Sequence, residues 1–143
     1  MTIDLLEKEL KNGNLNSIYL LYGEETFLLE SILKKIKINF GELVKGINYV
    51  QIDETNIKEL IQDIETPAFG YEKKLIIARN TGLFNKECKG KKNTLTELNT
   101  KISDYISKNI DIINESVIIV FIESNIDKNS LYKTIEKYGI VCE

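Results

Sequence analysis

The 143-residue chain is 43% hydrophobic and 29% charged and has a single proline, which is typical of one globular domain with a substantial core. Its net charge of −3 excludes a broad basic field, so nucleic-acid binding would need a local patch. The chain has no histidine, which excludes Ser–His–Asp and Cys–His nucleophilic sites, histidine general bases and histidine-ligated metal sites.

The two cysteines, Cys88 and Cys142, lie far apart and form neither a metal-binding nor a disulfide pattern. This sparse usage favours a reducing compartment, and the cytoplasm is the expected location. The sequence has neither a charged-then-apolar leader nor a run of about 18 apolar residues. A signal peptide and a membrane span are therefore not expected.

Strands and helices are predicted to alternate along the chain. A first helix precedes five apolar runs that predict strands, in the order SIYLLY, INYVQID, KLIIAR, SVIIVFIE and IVC. Polar residues interrupt INYVQID, which is expected at a sheet edge, whereas SVIIVFIE is expected at the centre. Apolar residues at helical spacing predict the helices, with these stripes: Ile3, Leu6 and Leu10; Leu28, Ile32, Ile36 and Phe40, supported by Leu29 and Leu33; Ile57, Leu60, Ile61 and Ile64; Leu95, Leu98, Ile102 and Ile106; Leu131, Ile135 and Tyr138.

This alternation predicts an α/β fold, a three-layer, doubly wound and mostly parallel five-stranded sheet with right-handed crossovers. Residues 1–143 are expected to form a single domain. Because the chain ends just after an apolar strand, we expect it to be a fragment of a longer subunit.

Local signals predict several helix ends. Asn56 opens a capping-box pattern, and Pro67 is expected to end the third helix or to open a new turn, with Thr66 as a candidate N-cap. Asp127 lies near the start of the last helix, and Gly139 is its expected C-terminal stop.

The polar stretch from residue 80 to residue 93 is expected to be a mobile loop. Its basic cluster of Lys86, Lys89, Lys91 and Lys92 could contact phosphates, each with a salt-dependent increment. Because no aromatic side chains are interleaved for base stacking, a solvated loop is the favoured interpretation.

The segment YLLYGEETFLLE runs from a strand through Gly23 into a helix, the place of a phosphate-binding loop in many nucleotide-binding proteins. A P-loop needs GxxxxGK[ST], but Gly23 is followed by Glu24, Glu25 and Thr26, with no second glycine and no lysine. The two carboxylates would repel a polyphosphate, so ATP binding is not expected. They stabilise a helix N-terminus by roughly 0.3–1 kcal/mol, which we favour over a metal or ligand role.

Acidic residues that hold a nucleotide-bound metal are expected at the C-terminal end of an apolar strand. Asp53 and Glu54 follow a strand, but that strand is the one expected at the edge. The better-placed strand KLIIAR ends in Arg79 and Asn80. The acids of an ATPase, and the phosphoacceptor aspartate of a receiver domain, are missing at that position.

The segment ETPAFGYEKK, residues 65–74, places aromatic residues on a tight turn at the rim of the domain. The pattern alone favours a Phe69 ring packed beneath the turn. An exposed ring there would instead be a good interface anchor, since such anchors contribute about 2 kcal/mol or more. Periodicity cannot choose between the two arrangements.

In this order, YLLYGEETFLLE, ETPAFGYEKKLIIARN and SVIIVFIESNIDKNSLYKTIEKYGIVCE resemble the N-terminal domain of the delta subunit of the bacterial DNA polymerase III clamp loader. The likeness spans nearly the whole chain. That family has a first strand ending in glycine before an acid and an apolar helix, as Gly23, Glu24 and residues 27–29 do here. It also has a proline or small residue, two hydrophobics and a glycine before basic residues and a strand, as residues 67–77 do.

The resemblance implies an AAA+-like domain without a working nucleotide site and without a cofactor, which is not an enzyme by itself. It would be a subunit of the DNA polymerase III holoenzyme, a DNA-directed DNA polymerase and nucleotidyltransferase complex. The implied partners are the sliding clamp (beta) and the delta-prime and tau/gamma subunits, with DNA contacted through the assembled complex and no membrane. Its implied role is to bind the clamp and help to open the ring for loading onto primed DNA.

Carried over by position, the clamp-binding pair falls on Ala68 and Phe69. The other residues of the implied site are Pro67 and Gly70, which fix the turn, Tyr71, which extends the apolar contact, and Lys73 or Lys74, which meet acidic groups of the clamp. Two departures from the family matter. Ala68 is small where members often have a bulky residue, and Asn129 replaces a frequent basic residue.

Reasoning from the residues alone leaves two other functions open. The chain could be a fragment of a nucleotide-dependent P-loop-like enzyme with a degenerate phosphate site, which nucleotide binding would reveal. It could also resemble the delta-prime subunit, but a zinc-binding set of cysteines would be expected there, and two distant cysteines do not supply it.

Overall fold

The computed structural model of the protein describes residues 2–84 and 94–143. Its five strands are β1 (Ile18–Tyr22), β2 (Tyr49–Ile52), β3 (Lys74–Arg79), β4 (Val117–Glu123) and β5 (Ile140–Cys142). Its helices are α1 (Ile3–Lys11), α2 (Thr26–Phe40), α3 (Leu60–Glu65), α4 (Thr94–Ser116) and α5 (Ser130–Tyr138), with a 3-10 turn at Ile57–Glu59 before α3.

The strands form one sheet in the order β2-β3-β4-β1-β5, and every pairing between them is parallel. The predicted α/β sheet of five strands is therefore confirmed, with INYVQID at an edge and SVIIVFIE at the centre. All seven residues of β4 are buried, because helices cover both faces of the sheet.

The alternating side chains of the strands build a separate core on each face. On one face Leu20, Ile76 and Phe121 pack with residues of α3, α4 and α5. On the other face Leu21, Ile77 and Val120 pack with residues of α1 and α2. Each core lies between the sheet and one layer of helices, as the predicted three-layer arrangement requires.

The buried stripe of α2 differs by one position from the prediction. Leu29, Ile32, Leu33 and Ile36 face the core, whereas Leu28 is exposed. The expected inward position of Leu28 was wrong because a spacing of four residues drifts around a helix with 3.6 residues per turn. Leu29 takes its place at the start of the stripe.

One predicted helix start was wrong in detail. Asn56 does not cap the helix after it through its side chain, which accepts a hydrogen bond from Asp53 N and donates one to Gln51 O. Asp127 lies near the start of α5 as predicted, and the N-cap itself is Asn129, whose side chain accepts a hydrogen bond from Tyr132 N at 3.1 Å. The asparagine that departs from the family pattern thus has a structural role.

Gly139 ends α5 as predicted, but not through a left-handed conformation, since its φ is −136°. A Cβ atom on this residue would lie 2.5 Å from the carbonyl oxygen of Ile18 in β1. Close approach of two backbones therefore requires glycine here. The basic cluster Lys86, Lys89, Lys91 and Lys92 lies outside the described residues, as does the rest of the predicted mobile loop from residue 85 to residue 93. The first part of that loop is described, and there the prediction was wrong, because Thr81, Leu83 and Phe84 are buried.

Candidate functional site

The candidate site is the connection between α3 and β3. Thr66 does not start a helix but caps the C-terminus of α3: its N–H and its hydroxyl both donate to Gln62 O, at 3.0 and 2.8 Å. Pro67 then prevents continuation of the helix. The Tyr71 N–H donates to Ala68 O at 2.9 Å and closes a four-residue turn. Gly70, with φ +88°, occupies the turn position that needs a positive φ.

Phe69 lies at the tip of this turn and is 77% exposed. The ring is therefore presented to solvent, and packing beneath the turn, which the pattern alone favoured, is not what the structure has. Pro67 beside it is exposed and Ala68 is half-buried. Pro67, two residues before Phe69, has a fixed φ, and the hydrogen bond from Tyr71 N to Ala68 O restrains the turn that carries the ring.

Tyr71 braces the turn from its far end. It is half-buried, and its hydroxyl donates to Glu42 Oε2 at 3.0 Å. This hydrogen bond to a carboxylate raises the pKa of Tyr71. Tyr71 therefore links the turn to the connection between α2 and β2.

Lys74 does not point outward as its expected clamp contact requires. The side chain is 3% exposed, and its ammonium donates to the carbonyl oxygens of Asp63, at 2.8 Å, and Thr66, at 2.6 Å. Burial lowers the pKa of Lys74, and the nearby charge of Asp63 partly offsets this. The assignment of Lys74 as a contact to a partner is corrected, and Lys73, which is half-buried, is the lysine left for such a contact.

A groove of about 490 Å³ lies beside the turn. One wall contains Pro67, Ala68 and Tyr71, and the other contains Tyr105 and Ile112 of α4. Ile112 is an exposed large hydrophobic side chain. The groove therefore extends from the turn residues Pro67, Ala68 and Tyr71 toward α4.

The opposite, carboxyl edge of the sheet is where a nucleotide would bind in a fold of this type. There the Gly23 N–H donates to Glu123 O at 3.2 Å, and the Thr26 N–H donates to Glu24 O at 2.9 Å. Two of the N–H groups that an open phosphate loop would present are thus used within the chain. Glu24 and Glu25 are exposed at the start of α2.

Arg79, at the end of β3, forms an ion pair with Glu30 at the same edge. Its guanidinium contacts both oxygens of Glu30 in α2, with Nη2 at 3.0 Å from Oε2. This hydrogen bond to Arg79 lowers the pKa of Glu30. The cation that ends the interior strand β3 is therefore paired within the chain.

Glu123 is a residue of this edge that sequence reasoning missed. It ends β4, is 3% exposed, and accepts a hydrogen bond from Thr81 N at 3.3 Å. Burial raises its pKa to about 7, although the N–H groups of Thr81 and Asn80 partly offset this effect. A polar residue closing the SVIIVFIE run was the available signal. With Glu54 and Asn80 it lines a cavity of about 280 Å³.

Asp53, the other acid considered for a metal, is exposed and accepts hydrogen bonds from the N–H and hydroxyl of Thr55, which lower its pKa. Within residues 2–84 and 94–143, no three cysteine or acidic side chains come together as a metal-binding group. None of the helices in these ranges is both long and apolar enough to span a bilayer.

The comparisons with known proteins agree with this geometry. The solved structure of the Bacillus subtilis DNA clamp loader delta protein superposes with a TM-score of 0.75 and 25% identity, over 99% of this chain and 42% of that one. A DNA polymerase III, gamma subunit-related protein from Thermotoga maritima shares the fold, with a TM-score of 0.53 and 12% identity over 96% of this chain and 45% of its own. The chain thus has the AAA+-like α/β fold of clamp loader subunits.

The family follows from the sequence itself. The profile described as "DNA polymerase III, delta subunit" matches residues 19–143, and the chain belongs to this clamp-loader family, which serves DNA replication. DNA polymerase III subunit delta of Bacillus subtilis (strain 168) is 32% identical over 88 residues, which are 59% of this chain and 25% of the relative. The aligned residues therefore span about a quarter of the length of that relative.

Proposed function

We propose that this chain is the clamp-binding domain of a DNA polymerase III delta subunit and that Phe69 is its principal contact with the sliding clamp. The observation that carries the proposal is a ring 77% exposed at the tip of a hydrogen-bonded turn. Because a hydrogen bond closes the turn around Phe69, less backbone freedom is lost when the ring binds, and this favours affinity.

The remaining contacts are assigned by position. Pro67 and Gly70 set the direction of the turn, Ala68 and Tyr71 border the apolar groove, and Lys73 meets acidic groups around the clamp pocket. Opening of the ring would follow from tighter binding to the open clamp than to the closed clamp, because a ligand shifts an equilibrium only by its preference for one state. This step needs no catalysis by the chain. In the assembled loader, the delta-prime and tau/gamma subunits are the proposed neighbours.

The alternative of a nucleotide-dependent enzyme fragment receives less support. The N–H groups of Gly23 and Thr26 are occupied, and Glu24 and Glu25 carry negative charge where phosphates would lie. Measurable ATP binding in a calorimetric titration would favour that alternative.

The test is a titration of the chain with the sliding clamp of its own organism, comparing wild type with Phe69→Ala. We expect binding to weaken by roughly thirtyfold or more, which corresponds to about 2 kcal/mol. Phe27→Ala is the matched control: Phe27 is 83% exposed, but it follows β1 at the carboxyl edge, whereas the Phe69 turn precedes β3 at the amino edge. Equal affinity of wild type and Phe69→Ala would remove Phe69 from the proposed contact.

A further inference from the structure

The Phe69 turn is attached to a short helix. The helix α3 has six residues, a length at which a helix is not stable by itself in water and depends on tertiary contacts. Its last carbonyl groups also lack partners within the helix. The position of the turn therefore depends on whatever holds the C-terminus of α3.

Lys74 supplies that contact from the first residue of β3. Its backbone is paired with Val117 of the central strand β4, so its Cα position is fixed by the sheet. Its ammonium then reaches back to two carbonyl oxygens, those of Asp63 within α3 and of Thr66 immediately before Pro67. A cation at this end of a helix also complements the negative end of the helix dipole.

The contact is protected from solvent. Lys74 is 3% exposed, and a hydrogen bond from a charged donor contributes more when water does not compete for it. Tyr71, through its bond to Glu42, holds the other end of the turn. Phe69 thus lies between two fixed points, one at Thr66 and one at Tyr71.

We propose that Lys74 is a positioning residue for Phe69: its buried ammonium ties the C-terminus of α3 to the sheet and so holds the turn in the conformation that presents the ring. Its effect on clamp binding rests on the proposed function of Phe69. Its effect on the turn does not, and is measurable without a partner. Pre-ordering the turn removes part of the entropic cost of binding.

The test replaces Lys74 with methionine, which keeps the apolar stem and removes the donors. The chain has no tryptophan, so Phe69→Trp introduces a single fluorescent reporter at the turn. In the Lys74→Met background, we expect lower anisotropy of this tryptophan and exchange of the Tyr71 amide hydrogen faster by about tenfold. With Phe69 left unchanged, the affinity of Lys74→Met for the clamp should be roughly tenfold lower than that of wild type, about 1.4 kcal/mol.

Lys73→Met is the matched control and should leave the Tyr71 exchange rate and the anisotropy unchanged. If Lys74→Met does not fold, as judged by circular dichroism, Lys74→Gln retains an amide donor at the buried position and is expected to give a smaller change in the same direction. Amide exchange elsewhere in β3 and β4 should stay at the wild-type rate, which a general loss of stability would not allow.

The outcomes separate the two proposals. A folded Lys74→Met or Lys74→Gln variant with wild-type amide exchange and anisotropy would overturn the positioning role, regardless of its affinity for the clamp. A loosened turn with unchanged clamp affinity, while Phe69→Ala still weakens binding, would overturn it as well. If wild type and Phe69→Ala bind the clamp equally, the proposed function fails, and the exchange and anisotropy data alone decide the role of Lys74.

Discussion

Replacement of Glu123 by glutamine is expected to stabilise the protein above neutral pH and to change its stability little in mild acid. Glu123 ends the central strand β4, is almost fully buried, and accepts a hydrogen bond from Thr81 N. Glutamine has nearly the same shape and keeps an acceptor oxygen for that N–H group. The substitution therefore removes the titrating charge without opening a cavity.

The sign follows from the two protonation states. The carboxyl has an ordinary pKa of 4.5 in the unfolded chain, and burial raises its pKa to about 7 in the fold. Between these values the folded state binds more protons, so the free energy of unfolding falls as the pH rises. The free energy of unfolding that depends on a protonated Glu123 is therefore fully present below about pH 4.5. It is lost as the pH rises through about 7.

The shift corresponds to about 3 kcal/mol, at about 1.4 kcal/mol per pKa unit. Glutamine recovers only part of this, because an N–H group binds a carboxylate more strongly than an amide oxygen. We therefore expect Glu123→Gln to be more stable than wild type by about 1–3 kcal/mol at pH 8.

The assay is urea unfolding followed by circular dichroism between pH 5 and pH 8. The absence of histidine keeps this range free of imidazole titration, although burial also raises the pKa of the Asp63 carboxyl. Glu54→Gln, which removes an exposed acid from the same cavity, is the control and should keep the wild-type slope. A wild-type stability that does not change over this range, or an unchanged slope in Glu123→Gln, would refute the reasoning.

Two further substitutions test contacts that set the fold around the sheet. Gly139→Ala should destabilise the protein by about 1–3 kcal/mol in urea unfolding, because its Cβ would meet Ile18 O at 2.5 Å; wild-type stability would show that β1 and α5 can separate at little cost. Asn129→Ala should cost about 1–2 kcal/mol, since it removes the cap of α5 and a bond to Leu83 O. The exposed Asn125→Ala is its control, and equal losses in the two variants would contradict the capping role.

Local sequence patterns were sufficient to predict the strands of the sheet and its edge strand β2. The runs SIYLLY, KLIIAR and SVIIVFIE are continuous in apolar residues because both sides of each strand are covered, and this property is visible without knowing what covers them. The interruption of INYVQID likewise indicated an edge strand, which β2 is. Helix ends were less well predicted, because the Asn56 side chain bonds residues before it instead of the helix that follows.

The alternation of strands and helices, the family pattern and the lack of a P-loop motif can all be read from the order of the amino acids. The exposure of Phe69, the inward direction of Lys74 and the burial of Glu123 are visible only in the folded chain. The physical reason is that periodicity reports contacts within one element, whereas the burial of a turn residue or of a strand's last side chain depends on segments distant in the chain. The Lys74 ammonium reaches from β3 to α3, and the Glu123 carboxylate reaches from β4 to Thr81.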